Sequence, residues 1–263
     1  MIIMPRFAAN LGYLFTDCAL LERIDAAAAC GFKAIELQFP YDVPAAQVKS
    51  AIERNKLTVL GINTPPGERG GEFGLAAVPG REKDWQILFT RALDYITAIG
   101  GSAVHCLAGH VSPEQRPAAE RVYTENLKAA ADLAAAKNVT LLIEPINPRD
   151  RPNYFLNRVE HAADVIAKAG MPNIKMQFDF YHVQIVGGDL ITRLEKFLPV
   201  IGHLQCAAVP VRHEPDDGEI NYPFVFSEVD RLGYKGWIGC EYRPRGRTEA
   251  GLSWGKPYGL GSP

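Results

Sequence analysis

The chain has 263 residues, 47% hydrophobic, 22% charged and 10% aromatic. That composition excludes a disordered, collagen-like or low-complexity chain, and the length allows folding without a disulfide or metal staple. Lys plus Arg number 28 against 30 Asp plus Glu, a net charge of −2, so the basic excess that grips nucleic-acid backbones is missing.

The opening MIIMPRFAAN has no long apolar run behind a basic start, and no signal peptide is expected. Arg6–Asn10 (RFAAN) reads as a first strand, and residues 17–30 (DCALLERIDAAAAC) as a helix that stops before Gly31. Strand two is residues 34–38 (AIELQ), followed by a helix over 44–54. Strand three is Thr58–Asn63 (TVLGIN), with a helix over Glu82–Ile99. After Gly100-Gly101 come strand four at 102–106 (SAVHC), a helix over 113–137, strand five at 140–144 (TLLIE) and a helix over 157–169. Strand six is Ile174–Asp179 (IKMQFD), then a helix over 189–198, strand seven at 201–205 (IGHLQ) and a helix over 222–232. Strand eight, 237–241 (WIGCE), follows Gly233. Short, mainly apolar runs suit strands buried on both faces, and the segments between them carry apolar residues at helical spacing.

Eight strand–helix alternations in about 250 residues match a (β/α)8 TIM barrel. The rival, a doubly wound open sheet, would often carry a Gly-rich turn after its first strand. Here that turn is Asn10-Leu11-Gly12-Tyr13, without GxGxxG. A single domain over residues 1–263 is expected, with no linker and no solenoid repeat. The five cysteines (Cys18, Cys30, Cys106, Cys206, Cys240) are scattered, with no CxxC pair or zinc-type spacing. Cys106, Cys206 and Cys240 sit in or beside apolar runs as small core hydrophobes. No stretch is long enough to span a membrane, and a cytoplasmic, reducing location is expected.

In such a barrel the C-terminal ends of the strands face the active-site mouth. Strand two carries Glu36 and strand three ends in Asn63. Strands five to eight end in Glu144, Asp179, Gln205 and Glu241. One acid after a strand reads as a helix N-cap or a solvated loop residue. Four oxygen-bearing side chains in succession read differently, because converging carboxylates repel and desolvate one another. A divalent cation resolves that conflict. Three carboxylates and an amide oxygen form a hard site suited to Mg2+ or Mn2+.

The fragments Glu144-Pro145-Ile146-Asn147, Asp179-Phe180-Tyr181-His182, Arg212-His213-Glu214-Pro215 with Gly218-Glu219-Ile220-Asn221-Tyr222, and Gly239-Cys240-Glu241-Tyr242 resemble the hydroxypyruvate isomerase family of xylose-isomerase-like barrels. The resemblance runs from Phe7-Ala8-Ala9-Asn10 to Thr248-Glu249-Ala250-Gly251. Close relatives acting on 2-oxo-tetronates share nearly all of these motifs. Ala208 and Val211 depart from the residues that relatives often carry there, and Arg243, Arg245 and Arg247 make the loop after strand eight basic.

The resemblance implies that Glu144, Asp179, Gln205 and Glu241 bind the metal and that Glu144 and Glu241 are the acid/base pair. It implies a reaction interconverting hydroxypyruvate and 2-hydroxy-3-oxopropanoate through a metal-stabilised enediol, with 2-oxo-tetronate as the alternative substrate. His182 then faces the substrate oxygens; its other reading is a loop or helix cap. A 2-oxo acid needs a cation, for which Arg69, among loop glycines, and Arg212 are candidates. Glu36, Phe39 and Tyr41 are candidate pocket walls, and Trp254 either walls the pocket or packs the terminal segment.

Other functions stay open at this point. Ketose 3-epimerases typically place a histidine where Gln205 stands. An apurinic endonuclease would need many histidines and basic loops, and a non-catalytic sugar-acid-binding barrel would not require the Glu144/Glu241 pair. The expected partner is a small 2-oxo or hydroxy acid, not nucleic acid or a membrane. The charge balance permits a homo-oligomer.

Overall fold

Along a barrel strand, residues two apart share a destination, either under a helix or toward the barrel axis. A computed structural model describes residues 5–261. Residues 1–4, in the segment expected to carry no leader, and residues 262–263 lie outside them. The strands are β1 (Arg6–Asn10), β2 (Ala34–Leu37), β3 (Thr58–Asn63), β4 (Ala103–His105), β5 (Thr140–Ile143), β6 (Ile174–Asp179), β7 (Ile201–Cys206) and β8 (Trp237–Cys240). They pair in parallel in chain order, and β8 closes on β1 with Ala9 opposite Cys240. The chain thus forms the closed barrel and not the open sheet.

The helices are α1 (Leu20–Ala29), α2 (Ala45–Asn55), α3 (Glu82–Ile99), α4 (Arg116–Ala135), α5 (Val159–Ala169), α6 (Phe180–Val186), α7 (Leu190–Phe197) and α8 (Tyr222–Arg231). α1 begins later than the capping signal at Asp17 predicts, because residues 11–17 form turns that bury Phe15. α4 is preceded by a tighter turn over Pro113–Gln115. The sequence reading did not foresee α6. It starts directly at the end of β6, where Asp179 caps it by accepting the Tyr181 N–H at 2.9 Å. Seven residues span too few turns to display a helical period, so FYHVQIV carries no legible signal.

Phe178, Leu204 and Ile238 are buried beneath the helices. The residues facing the axis mix polar side chains into the branched apolar layers usual in such barrels. Asn10, Glu36, His105, Gln177, His203 and Gln205 line an axial cavity of about 400 Å3. The strands are therefore buried on both faces, as their runs predict, with polar groups set among apolar ones such as Leu60 and Leu142 on the inner face.

Trp254 packs the terminal segment. Its ring lies 5.1 Å from Phe7, centroid to centroid, and its Nε1 donates to Tyr242 Oη at 3.2 Å. All five cysteines are free thiols and four are buried. No helix among the described residues is long and apolar enough to cross a membrane.

Candidate active site

The strand ends carry Glu144, Asp179 and Glu241 into one buried cluster, and Gln205 comes from the strand between the last two. Glu144 and Glu241 follow β5 and β8 directly, while Asp179 closes β6 and Gln205 lies within β7. A mouth cavity of about 330 Å3 opens above them, with Tyr13, Gln38, Phe39, Phe73, Asp150, Arg151, His182, Arg212 and Arg243 in its walls.

Each acid is held by specific donors. Glu241 Oε1 accepts from Gln38 Nε2 at 2.6 Å and its Oε2 from Arg212 Nη2 at 2.9 Å. Glu144 Oε2 accepts from Gln177 Nε2 at 3.0 Å, and Glu144 Oε1 is buried without a partner. Asp179 accepts the α6 cap bond through Oδ1, while Oδ2 faces Arg212 Nη2 at 3.3 Å. Asp179 is thus both helix cap and site residue.

The electrostatics follow from burial. Desolvation, with repulsion from Glu241 and Asp179, raises Glu144 well above the carboxylate range. Desolvation also lifts Glu241 to about 8 and Asp179 to about 6, with Arg212 pulling both downward. Three ionised carboxylates against one guanidinium would leave two uncompensated negative charges in the interior. Two further oxygens, Glu144 Oε1 and Gln205 Oε1, are buried without partners. Ligand atoms of Glu144, Asp179 and His182 lie within 4.8 Å of one another. The excess negative charge and the two open oxygens suit a divalent cation beside Glu144.

His182 stands apart from that oxygen set. The Asp150 N–H donates to Asn147 Oδ1 at 2.9 Å, which turns Asn147 Nδ2 toward His182 Nδ1 at 2.7 Å. The Asn147 backbone N–H approaches the same ring nitrogen at 3.3 Å. Two donors make Nδ1 the acceptor and leave the proton on Nε2. Burial, then Arg212, push the imidazole well below its usual range, so it is neutral, and its Nε2 also lies 3.4 Å from Arg212 Nη2. The same His182 nitrogen lies 3.6 Å from Asp179 Oδ2 and 3.7 Å from Glu144 Oε1.

Arg212, at a left-handed φ of 59°, lies between the Tyr13 and Tyr181 rings, 4.9 and 4.6 Å from their centroids. Its Nη1 is 3.5 Å from Asp150 Oδ2. Arg69 is not brought in. It is exposed, its N–H donates to Glu72 Oε2 at 3.0 Å, and it does not line the mouth, although Phe73 from the same loop does.

Glu36, expected to wall the substrate pocket, lies deeper and lines the axial cavity. Phe39 lines the mouth, whereas Tyr41 donates to the Asn63 carbonyl and stacks edge-on against Tyr95. In the basic loop, Arg245 is tied to Glu214 and Asp216, and Arg247 to Glu249, leaving Arg243 at the mouth. Sequence reasoning missed Gln38, Gln177, Asn147 and Tyr13. Gln38 and Gln177 each stand two residues from a candidate acid on the same strand run, a parity that could have exposed them.

The sequence profile of the xylose isomerase-like TIM barrel family matches residues 24–258. A protein of Cupriavidus necator named 2-oxo-tetronate isomerase is 51% identical over 97% of this chain and 99% of its own length. The Escherichia coli hydroxypyruvate isomerase is 40% identical over 97% of this chain and all of its own. A crystal structure titled AP endonuclease, family 2, from Brucella melitensis superposes with a TM-score of 0.95 at 42% identity. It covers 97% of this chain and 99% of that one. Profile, relatives and barrel agree: the chain belongs to the xylose isomerase-like TIM barrel family.

Proposed function

We propose that the chain is an aldose–ketose-type isomerase of short 2-oxo acids, with 2-oxo-tetronate as its first substrate and hydroxypyruvate as its second. The observation that carries this reading is the pair Glu144 and Glu241. These are two buried carboxylates on well-separated strands of the barrel, both raised above the usual carboxylate range by desolvation, as proton-transfer groups require.

Both substrate names come from relatives that align along nearly the whole chain. The order between them is supported by the higher identity to the 2-oxo-tetronate isomerase. It is also supported by an open cleft of about 600 Å3 that shares Tyr13, Gln38 and Arg243 with the mouth. That cleft has room for one more hydroxylated carbon.

Glu144, Asp179, Gln205 and Glu241 would hold Mg2+ or Mn2+, which when bound supplies Lewis-acid stabilisation of negative charge on the substrate oxygens. One of Glu144 and Glu241 removes a proton from the hydroxyl-bearing carbon next to the carbonyl, which is the CHOH of 2-oxo-tetronate and the hydroxymethyl carbon of hydroxypyruvate, giving the enediolate. The other returns a proton to the adjacent carbon, and the hydroxyl proton moves from one oxygen to its neighbour, so atoms and charge balance. His182 donates its Nε2–H to a substrate oxygen. Arg212 and Arg243 face the substrate carboxylate, and Phe39 and Phe73 exclude water from the reacting carbons.

The test is turnover of 2-oxo-tetronate and hydroxypyruvate side by side in D2O, with EDTA and with added Mg2+ or Mn2+. Isomerisation with solvent deuterium on the carbon that receives the proton is expected. No turnover of either acid by metal-replete protein would overturn the reading and make free ketoses the next panel.

A further inference from the structure

We infer that Glu36 is the positioning residue that fixes which end of the Gln205 amide faces the acid cluster. The inference rests on the reading of Gln205 as an oxygen donor to a divalent cation. A glutamine in that role is ambiguous, because rotation of its amide by half a turn would present an NH2 group where an oxygen is needed. Something must set the direction.

Gln205 Nε2 donates to Glu36 Oε2 at 2.8 Å, which leaves Gln205 Oε1 buried and without a partner. The reversed amide would set its oxygen against a carboxylate oxygen and lose a charge-assisted hydrogen bond. Glu36 is itself immobilised. Its Oε2 also accepts from Asn10 Nδ2 at 2.8 Å, and its Oε1 lies against His203 Nε2.

The direction of the chain of bonds begins at the backbone. The Gly12 N–H, which cannot turn over, donates to Asn10 Oδ1 at 3.0 Å. That forces Asn10 Nδ2 toward Glu36, and Glu36 in turn selects Gln205 Nε2. β8 leaves the space for this, since a Cβ at Gly239 would collide with Glu36 Oε1. Asn10, Glu36, His203 and Gln205 are at most 7% exposed.

The experiment is a Mn2+ binding isotherm, read from the electron paramagnetic resonance of free Mn2+, for wild type, E36L, Q205A and E36L/Q205A. Groups that orient a metal ligand are worth roughly 10–100-fold in affinity. E36L is expected to weaken Mn2+ by that factor in the wild-type background and to have no further effect in Q205A, because Glu36 acts only through Gln205. Binding by E36L within twofold of wild type overturns the inference. So does an equal loss in both backgrounds, which would mark a general charge or packing effect. If E36L does not fold, E36Q takes its place. It keeps one acceptor oxygen, so the loss shrinks to a few-fold, and its disappearance or persistence in Q205A decides as before. Wild-type protein that fails to bind Mn2+ would instead remove the metal reading itself.

Discussion

The Arg212 guanidinium donates to Glu241 Oε2 at 2.9 Å. It does so from between the Tyr13 and Tyr181 rings, which hold its plane, while the same Nη2 reaches Asp179. Removing one partner of a buried ion pair strands the other charge, at a cost of roughly 3 kcal/mol or more. R212Q should therefore lower the urea-unfolding stability of metal-free protein by about that amount and raise KM for the 2-oxo acid at least about tenfold. R212K keeps the charge but not the planar fork or the stacking, and should recover stability more than KM. Equal KM values for R212Q and wild type would remove Arg212 from substrate binding.

Glu144 and Glu241 differ in their surroundings but share burial. Gln38 and Arg212 hold both oxygens of Glu241, whereas Glu144 keeps one oxygen open. Replacing either by glutamine preserves shape and removes the proton-transfer group. Each variant should lose about 10²- to 10⁴-fold in kcat, with metal content measured on the same sample. A metal-replete E144Q or E241Q with full turnover would end the acid/base assignment for that residue.

Burial also sets a pH dependence in metal-free protein. Asp179 rises from 3.8 to about 6 and Glu241 from 4.5 to about 8, and desolvation raises Glu144 as well. The folded state therefore holds protons that the unfolded state releases once pH exceeds the ordinary carboxylate values. Stability contributed by these groups is full below about pH 4 and is lost as pH climbs through about 6 to 8 and above. Thermal melts of EDTA-treated protein should show Tm falling from about pH 6 to 8.5, and saturating Mn2+ should flatten that slope by stabilising the ionised carboxylates. A metal-free Tm that rises over the same interval would contradict the burial argument.

Much of this was legible because the barrel repeats one rule eight times. Apolar runs closed by Glu144, Asp179, Gln205 and Glu241 signal strand ends at a mouth without any structure. What stayed hidden depends on facing and on loops. Glu36 sits inside its run and not at its end, and its strand leaves it beneath the mouth, against Gln205. Arg69 and Arg212 are both loop arginines in sequence. A backbone bond from Arg212 N–H to Ala208 O and another from Arg243 N–H to Arg212 O turn Arg212 inward, and no local pattern announces that. α6 was missed because Asp179 is at once the last residue of β6 and the cap of the helix, so the stretch from strand to His182 contains no loop to mark the change.

Asn147 decides what His182 can do. With its Oδ1 engaged by the Asp150 N–H, its Nδ2 faces His182 Nδ1, and the neutral imidazole must carry its proton on Nε2. N147D changes one atom in size-matched fashion but replaces the NH2 donor with a carboxylate oxygen. That oxygen demands a proton from Nδ1, so the ring switches tautomer and presents a bare Nε2 lone pair to the substrate oxygen. The same logic makes a wrong tautomer costly in a serine-protease triad, where geometry survives and rate does not. N147D should fold with a near-normal melting temperature, lose about 10²-fold in kcat, and show the Nδ1–H form of His182 in 15N spectra. If the spectra show the switched tautomer while kcat is unchanged, His182 does not donate to the substrate.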